Sequence, residues 1–468
     1  MRKRALALPL ALVTVLMIGS PSFAAVEFFG TAKVKPTLYS NFDFDDSKGD
    51  APALNEGGWA AGEHIRGELR LGWKASGEKW RVKMIAEADM ILNKDNADRS
   101  FYVGAEKDDQ PNAGGEFGLE RAEMGYTFNK YLDLSTGWDI RDLDIKSGGL
   151  LFGDDHPFIG LRGALTDSLN YELLYLAVQN RDKIGVADST LNGDWRVYSL
   201  KVGNTLNTAA GKLTLSPLVA FSDNRDKQAS VYYYGLEALG QLGPIKPSFE
   251  IIGADGDFDN GKDISSWALF AGAELPVNKA FTPYLAYRFA QGDGNKNDNE
   301  VEGFVGVTDI GRFTPLMGMD GNILGEHLAS GASIYNSPLY SFAPDRAVGG
   351  DGYGGIGNGS SGNNPGQSLI AVGTKGDLSD FIPNVSYKAQ AFFIWYDDTN
   401  NLVNVKNPGK SVDDYAGTTF DLQAQYAFNK NFSIDYIFST FIPGDGIQDQ
   451  VNADDSAYVN ALTLAWTY

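Results

Sequence analysis

Apolar and charged side chains alternate with a period of two along much of this chain. In the segment 63–75 the apolar side chains fall on odd positions, at Ile65, Leu69, Leu71 and Trp73. The even positions are mostly charged. Successive side chains of a β-strand point to opposite faces, so this segment predicts a strand with one apolar and one charged face. A tight turn at 76–78 follows, and the same phase resumes over 80–89, which predicts an antiparallel hairpin.

The hairpin pattern recurs around the turns 129–131 and 429–431, and short turns alternate with long polar connections along the chain. The pattern predicts about eighteen strands, which begin near residues 30, 63, 79, 117, 132, 158, 170, 195, 211, 231, 245, 265, 281, 368, 385, 418, 432 and 457. An even strand number with alternating short and long connections is typical of a closed transmembrane antiparallel β-barrel, with short periplasmic turns and long extracellular loops. We therefore predict an all-β fold of this class.

The N-terminal segment has the layout of a secretory signal peptide. Basic residues at 2–4 are followed by an apolar run over 5–18 and then by small residues. A membrane anchor, which is the alternative, needs roughly 20 apolar residues and finds fewer here. We predict a signal peptide at 1–24 and one barrel domain at 25–468. No later run of about 18 apolar residues occurs, so helical membrane spans are not expected, and a closed barrel is the other structure that can cross a bilayer.

Composition excludes several classes of function. The chain has no cysteine and only three histidines, so thiolate metal sites, iron-sulfur clusters and covalently attached haem are excluded, and no cofactor or metal is expected. The formal charge of -21 disfavours nucleic acid, which binds to cationic surfaces. Asp154, Asp155 and His156 form the one carboxylate-imidazole cluster. No serine or second acidic pair lies at a suggestive spacing from it, so we do not expect an enzyme.

The last strand ends in alternating apolar residues and an aromatic terminus, at Leu462, Leu464, Trp466 and Tyr468. At these residues the sequence resembles the Gram-negative outer-membrane porins, whose last strand closes in this way and is read by the barrel assembly machinery. The architecture of the whole mature chain resembles the eighteen-strand substrate-channel porins and the alginate-export type of barrel. The resemblance implies a multi-pass protein of the cell outer membrane, in contact with lipid and lipopolysaccharide, and by analogy a homotrimer.

If the apolar positions face lipid, the opposite parity faces the lumen. The basic residues on that parity lie on the first six strands, at Lys33, Lys35, Arg66, Arg70, Lys74, Arg81, Lys83, Arg121, Arg141 and Arg162. The acidic residues on later strands are Glu172, Glu237, Glu250, Glu274, Asp421 and Asp435. Two interpretations stay open. Walls of opposite sign would set a field across the pore and orient solutes, or the inward charges satisfy one another.

The connection 291–367 is much longer than loops of compact domains, in which a structureless run beyond about 15 residues is uncommon and often functional. It carries apolar and aromatic residues that a solvated loop does not need, followed by a glycine-rich tract at 349–366. We predict that it folds over or into the lumen as a constriction. Its candidate lining charges are Arg312, Glu326, Asp345 and Arg346. An extracellular cap that never enters the pore is the alternative.

Together these features predict a water-filled channel for the passive diffusion of ions and small hydrophilic solutes. Barrels of about 16 to 18 strands leave an aqueous channel, whose selectivity depends on its bore and lining charge. Two alternatives stay open. One is a substrate-selective conduit for acidic sugars or polysaccharide, and the other is a structural barrel that sheathes a partner protein.

Overall fold

The computed structural model of the protein describes residues 26–41, 44–47, 63–91, 102–103, 116–144, 146–179, 194–225, 228–295, 297–307 and 364–468. Over these ranges the chain forms one sheet that closes on itself. It also contains one short helix, α1 (Asp445–Val451). Within the described residues, no helix has the length and apolar character needed to span a membrane. The predicted signal peptide lies outside the described residues.

Eighteen strands form the barrel wall in the described ranges, which confirms the predicted fold class. Their bounds are β1 (Val26–Ser40), β2 (Glu63–Ser76), β3 (Trp80–Ile91), β4 (Glu116–Asn129), β5 (Leu132–Asp142), β6 (Gly153–Ala164), β7 (Leu169–Gln179), β8 (Trp195–Thr208), β9 (Gly211–Asn224), β10 (Ala229–Leu242), β11 (Lys246–Phe258), β12 (Asp263–Glu274), β13 (Thr282–Ala290), β14 (Gln367–Asp377), β15 (Val385–Trp395), β16 (Tyr415–Asn429), β17 (Phe432–Pro443) and β18 (Ala457–Thr467). Each strand pairs antiparallel with the next in sequence. Two-residue strands at Tyr102–Val103 and Glu300–Val301 add short parallel pairings to β4 and β12.

The barrel closes where β18 pairs with β1. Leu464 lies opposite Val34 in this antiparallel register. The terminal residue extends the seam, because the amide of Gly30 donates to the carbonyl of Tyr468 at 3.2 Å and the amide of Tyr468 donates back at 3.1 Å. A Cβ atom added to Gly30 would lie 2.3 Å from the Tyr468 ring and 2.6 Å from the carbonyl oxygen of Arg70. Only glycine fits at this position of the seam.

The outer face of the barrel is apolar, as the alternating pattern predicts. Leu71 on β2 is 48% exposed and Leu285 on β13 is 58% exposed, although both sit in the middle of regular strands. Large apolar side chains this exposed are unusual in such numbers on a soluble surface. Trp466 and Phe432 stack with their ring centroids 4.8 Å apart on the same face. These residues form the surface that a closed barrel presents to lipid.

Several strands extend further than the sequence pattern predicts. The predicted long connections at 223–230 and 254–264 shrink to 225–228 and 259–262, because β9 to β12 continue through polar residues. Asp255 and Asp257 belong to β11 and are still paired with β10. A barrel strand that rises above the lipid layer has water on its outer side, so the apolar alternation stops before the strand does.

We expect Gly30→Ala to weaken the seam between β1 and β18. The added methyl group meets the Tyr468 ring and a backbone carbonyl, and overpacking of this kind costs about 1–3 kcal/mol. Urea unfolding of the protein refolded in detergent, followed by heat-modifiable gel mobility, measures the loss. Gly118→Ala on β4 is the matched control, since no atom lies within 4 Å of its added Cβ. Equal midpoints for the two variants would contradict the prediction.

Candidate functional site: the charged lumen

Ion pairs between strands show which face of the wall points into the lumen. The guanidinium of Arg81 on β3 reaches Asp133 on β5 past the intervening strand β4. Both side chains must leave the same face of the sheet to make this contact. The exposed apolar side chains Met84 and Met124 occupy the other face. The charged parity is therefore the inner face of the barrel.

Arg70 on β2 lies at the centre of the first charge cluster. Its guanidinium contacts three carboxylates, Glu87 Oε1 at 3.0 Å, Glu120 Oε1 at 3.3 Å and Glu68 Oε1 at 3.5 Å. Lys33 on β1 adds an ammonium group 3.1 Å from Glu68 Oε1. Arg121 Nη2 lies 3.4 Å from the same Glu120 oxygen, so the cluster holds three carboxylates and three cations, and the wall is not basic at this point.

Asp133 on β5 forms the second cluster. Arg81 binds it through two parallel hydrogen bonds, Nη1 to Oδ1 at 2.8 Å and Nη2 to Oδ2 at 2.9 Å. Arg162 Nε donates to Oδ2 at 3.0 Å, and Thr127 Oγ1 donates to Oδ1 at 2.6 Å. A two-pronged guanidinium-carboxylate pair fixes the orientation of both groups. Arg81 is held against the wall in consequence, whereas the side chain of Arg162 stays 60% exposed to the lumen.

Arg141 and Phe158 form a cation-aromatic contact on the inner wall. The guanidinium carbon of Arg141 lies 3.6 Å from the ring centroid of Phe158 on β6. Arg141 Nη2 also lies 3.3 Å from Glu123 Oε1 on β4, which Arg81 approaches through Nε at 3.5 Å. Stacking and ion pairing together hold the Arg141 guanidinium against the face of the Phe158 ring, because a planar cation is attracted to the face of an aromatic ring.

Asp139 on β5 binds two more of the predicted basic residues. Lys83 Nζ forms a close ion pair with its carboxylate, and Arg121 Nε lies at 3.7 Å from Oδ1. Asp139 is buried in spite of its charge. A buried carboxylate needs such partners, since an unpaired charge away from water is costly.

The remaining predicted basic residues are Lys35, Arg66 and Lys74. Lys74 Nζ pairs with Glu27 Oε1 at 2.9 Å. Lys35 lies on the same face of β1 as Lys33. The side chain of Arg66 lies outside the described residues. Each described cluster on β1 to β6 therefore contains its own carboxylates, at Glu27, Glu68, Glu87, Glu120, Glu123, Asp133 and Asp139.

Three predicted acidic residues on the later strands have partners of their own. Glu274 on β12 accepts from Lys375 Nζ on β14 at 2.5 Å. The side-chain amide of Gln390 on β15 donates to Asp421 on β16 at 3.4 Å. The side-chain amide of Gln425 on β16 donates to Asp435 on β17 at 2.5 Å. Asp421 and Asp435 are buried. Their charges are taken up by side chains of the neighbouring strands.

An open cavity of about 620 Å³ lies against the inner faces of β3 to β10. Its charged lining residues are Arg81, Glu123, Arg141, Asp142, Lys146, Arg162, Glu172, Lys201 and Glu237. The cavity brings the predicted basic residues of the early strands together with Glu172 and Glu237 of the later ones. Both signs of charge therefore line one volume that is large enough for a small hydrophilic solute.

The connection between β5 and β6 folds into the lumen, and the sequence did not predict this. The ammonium of Lys201 on β8 donates to the carbonyl of Leu143. Further along the loop, Ser147 Oγ lies 2.8 Å from Glu237 Oε2 on β10 and 2.8 Å from Glu250 Oε2 on β11. These contacts hold the described residues 143–144 and 146–152, which we call the inner loop, against the inner face of β8, β10 and β11.

Asp144 gives the inner loop its shape. Its carboxylate accepts the amides of Leu151 at 2.5 Å and Phe152 at 3.0 Å, and its carbonyl accepts the amide of Ser147 at 3.0 Å. Asp144 is fully buried, and this burial raises the pKa of its carboxyl group. The inner loop is therefore a hydrogen-bonded turn and not a loosely solvated strand connection.

The first part of the predicted constriction segment 291–367 packs on the inner loop. The amide of Val307 donates to the carbonyl of Leu151 at 2.8 Å. Tyr233 Oη on the inner face of β10 donates to the carbonyl of Val305 at 3.0 Å, and Phe304 is fully buried. The predicted lining charges Arg312, Glu326, Asp345 and Arg346 lie outside the described residues, so their constriction role stays a prediction.

The sequence signal for the inward fold of this loop is a strand with apolar residues at both odd and even positions. Leu174 and Leu176 on β7 point inward and are buried, although Leu173 on the outer face is 43% exposed. A barrel strand that is apolar on both faces has an inner apolar surface for the protein to cover, besides the outer one that faces lipid. The second part of the signal is an apolar run in an otherwise polar connection, at Leu150, Leu151 and Phe152. These residues belong to the same buried cluster as Leu174 and Leu176.

No protein-family model matches this sequence, and no curated protein matches it. Solved structures do share its fold. Acinetobacter baumannii OccAB4 superposes with a TM-score of 0.54 at 14% identity, over 96% of this chain and 100% of that chain. Pseudomonas aeruginosa OccK9 (OpdG) gives 0.56 at 13% identity, over 95% and 98%. Pseudomonas aeruginosa OccK2 (OpdF), solved in complex with glucuronate, gives 0.52 at 12% identity, over 94% and 97%. The chain therefore has the fold of outer-membrane channel barrels.

We expect Asp144→Ala to release the inner loop. Two buried amides lose their acceptor, and each unsatisfied group costs about 1–3 kcal/mol. Trypsin should then cut after Lys146 at least about tenfold faster, as mass spectrometry of the folded protein in detergent would show. Asp167→Ala, in an exposed turn at the other end of the barrel, is the control. Equal cutting rates in both variants would show that Asp144 does not hold the loop.

Proposed function

We propose that this protein is a passive channel for ions and small hydrophilic solutes. The contrast between the two faces of its wall carries the proposal. Met124 and Leu285 expose apolar surface on the outside, whereas Asp133 and its partners line the inside. An eighteen-strand barrel is too wide for side chains alone to fill, so water occupies the remaining space. An apolar exterior around a polar, hydrated interior is the arrangement of a membrane pore.

The same contrast supports a multi-pass position in the outer membrane. The apolar outer face fits a lipid layer, and lipopolysaccharide is the lipid that it would meet in the outer leaflet. The exposed terminal residues Trp466 and Tyr468 support recognition by the barrel assembly machinery. A homotrimer stays a prediction by analogy with wide porins.

Transport by this mechanism makes and breaks no covalent bond. Solutes move down their gradient, and the bore and lining charge decide which of them pass. The inner loop narrows the bore from the side of β8 to β11, next to the cavity that both signs of charge line. The net charge of -21 raises the concentration of cations near the mouths of the channel.

Two other functions fit the structure less well. A sheath around a partner protein would need a lumen that is permanently free of the inner loop, whereas residues Leu150 to Phe152 are fully buried there. For an enzyme, the candidate cluster would need His156 beside a reacting group. The ring of His156 instead lies 5.8 Å from the ring of Phe152, at the base of the inner loop.

Planar lipid bilayers provide the test of the channel. We expect the purified, folded protein to give stepwise, non-decaying increases of current, because each inserted barrel adds one aqueous path. The same preparation, unfolded by heat before addition, is the control. A protein that inserts in a folded state and carries no current at any voltage would refute the proposal.

A substrate-selective conduit for acidic sugars is the second candidate. The guanidinium groups of Arg81, Arg141 and Arg162 border one cavity, and Arg162 remains largely exposed. Planar guanidinium groups suit the recognition of carboxylates. One of the matched structures holds glucuronate, which is such an acid. On this candidate function, the exposed guanidinium of Arg162 would contact the solute in the cavity.

For this candidate we expect Arg162→Gln to slow the flux of glucuronate into liposomes by about threefold. A carboxylate that passes about 6 Å from a cation in water gains about 0.7 kcal/mol, which is close to this factor. Lys130→Gln is the matched control, since this cation lies in an exposed turn outside the lumen. The flux of a neutral sugar of similar size should not change. Equal losses for the acid and the neutral sugar would exclude selection by charge.

A further inference from the structure

The hydroxyl group of Ser147 lies between two carboxyl groups. Its Oγ is 2.8 Å from Glu237 Oε2 and 2.8 Å from Glu250 Oε2, both within hydrogen-bond distance. A serine hydroxyl has one proton to donate. Two ionised carboxylates cannot both accept that proton. One of the two carboxyl groups must therefore carry a proton of its own and donate it.

The proton belongs on Glu250. Glu237 is paired with the ammonium of Lys201, whose Nζ lies 2.8 Å from Oε1, whereas Glu250 has no cation of its own in the ion pairs of the described residues. Glu250 is fully buried and accepts the amide of Gly148 at 2.8 Å through Oε2. The carboxyl groups of Glu250 and Asp144 also lie within hydrogen-bond reach of each other. Two carboxyl groups share a hydrogen bond only when one of them is protonated.

The charges around the site reinforce this assignment. Asp144 of the inner loop, Glu237 on β10 and Glu250 on β11 are all buried, and Lys201 on β8 is the cation among them. The other charged groups that face the cluster are Asp142 and Arg141 on β5, Lys146 in the loop and Glu172 on β7. On β12 the neighbour of Gly148 is the apolar Phe270. Three buried carboxylates around one ammonium are stable only with a bound proton.

We propose that Glu250, Glu237 and Ser147 form a proton-dependent anchor that positions the inner loop across the lumen and so sets the bore of the channel. With Glu250 protonated, Ser147 bridges the two carboxyl groups and the loop stays on the wall. With Glu250 ionised, the single proton of the Ser147 hydroxyl cannot be donated to both carboxylates. The carboxylates then repel one another, and the loop leaves the wall. The inference rests on the proposed channel function only for its electrical consequence.

The direction of the pH effect follows from linkage. The anchored state holds its proton more tightly than the released state, in which water surrounds Glu250 and its carboxyl group has an ordinary pKa. The anchor is therefore complete in acid and is lost as the pH rises past the pKa of the anchored state. Over the pH range in which Glu250 is protonated in the anchored state and ionised in the released state, each unit of pH shifts the balance about tenfold toward release. Above that range the balance no longer changes. The narrow channel is the acidic form and the wide channel is the alkaline form.

Single-channel recording between about pH 5 and about pH 9 tests the anchor. We expect the wild-type protein to pass from a smaller to a larger conductance as the pH rises. Glu250→Gln should keep the smaller conductance throughout, because a side-chain amide cannot ionise and its oxygen can still accept the amide of Gly148. Glu274→Gln is the matched control, since this lumen carboxylate is paired with Lys375 and not with the inner loop. The conductance of this variant should still increase as the pH rises.

Thiol labelling tests the movement without any current. The chain has no cysteine, so Leu150→Cys places one thiol in the inner loop, at a position that is fully buried. At about pH 9 a charged methanethiosulfonate should label this thiol about tenfold faster than in the double variant Leu150→Cys, Glu250→Gln. Comparison at one pH removes the effect of thiol ionisation on the rate.

The two measurements separate the anchor from the channel. Faster labelling that depends on Glu250, in a protein that carries no current, would support the anchor and refute the channel. Stepwise currents whose size does not change with pH, or a pH step that survives Glu250→Gln, would overturn the anchor and leave the channel intact. Labelling rates equal in the single and double variants would also overturn the anchor.

Discussion

Every backbone amide and carbonyl that lies in lipid must find its hydrogen-bond partner within the protein. An open sheet fails this condition at its two edges, and a closed one has no edges. The pairing of β18 with β1 therefore governs the rest of the structure. It places the terminal Tyr468 over Gly30 and divides all side chains between an outer and an inner face. Each later feature, from the ion pairs to the loop, depends on that division.

On the inner face, charge is balanced over short distances. Arg81 and Arg162 share Asp133, and Arg70 contacts carboxylates from three strands. These groups are only partly hydrated, so each cation reduces the cost of burying the nearest anion. Of the two open interpretations, mutual satisfaction describes these clusters better than one basic wall facing one acidic wall. A solute in the cavity meets single exposed groups such as Arg162 rather than a uniform field.

The inner loop shows how a wide barrel narrows its own bore. Apolar residues of the loop and of 301–307 cover an apolar part of the inner wall, near Leu174 and Tyr233. Burial of this surface gives the loop a hydrophobic base, and the polar contacts of Ser147 fix its position on that base. A loop held by one buried polar cluster can have two discrete positions, because the cluster is either satisfied or broken.

The sequence alone determined the fold class and the number of strands. These properties follow from a period of two and from the alternation of turns, which are local. It did not determine that residues 143–152 turn inward, or that Ser147 meets carboxyl groups 90 and 103 residues away. Contacts across the lumen exist only after the sheet has closed, since closure brings β5 within reach of β10 and β11. Local periodicity carries no information about which strands will face each other across the lumen.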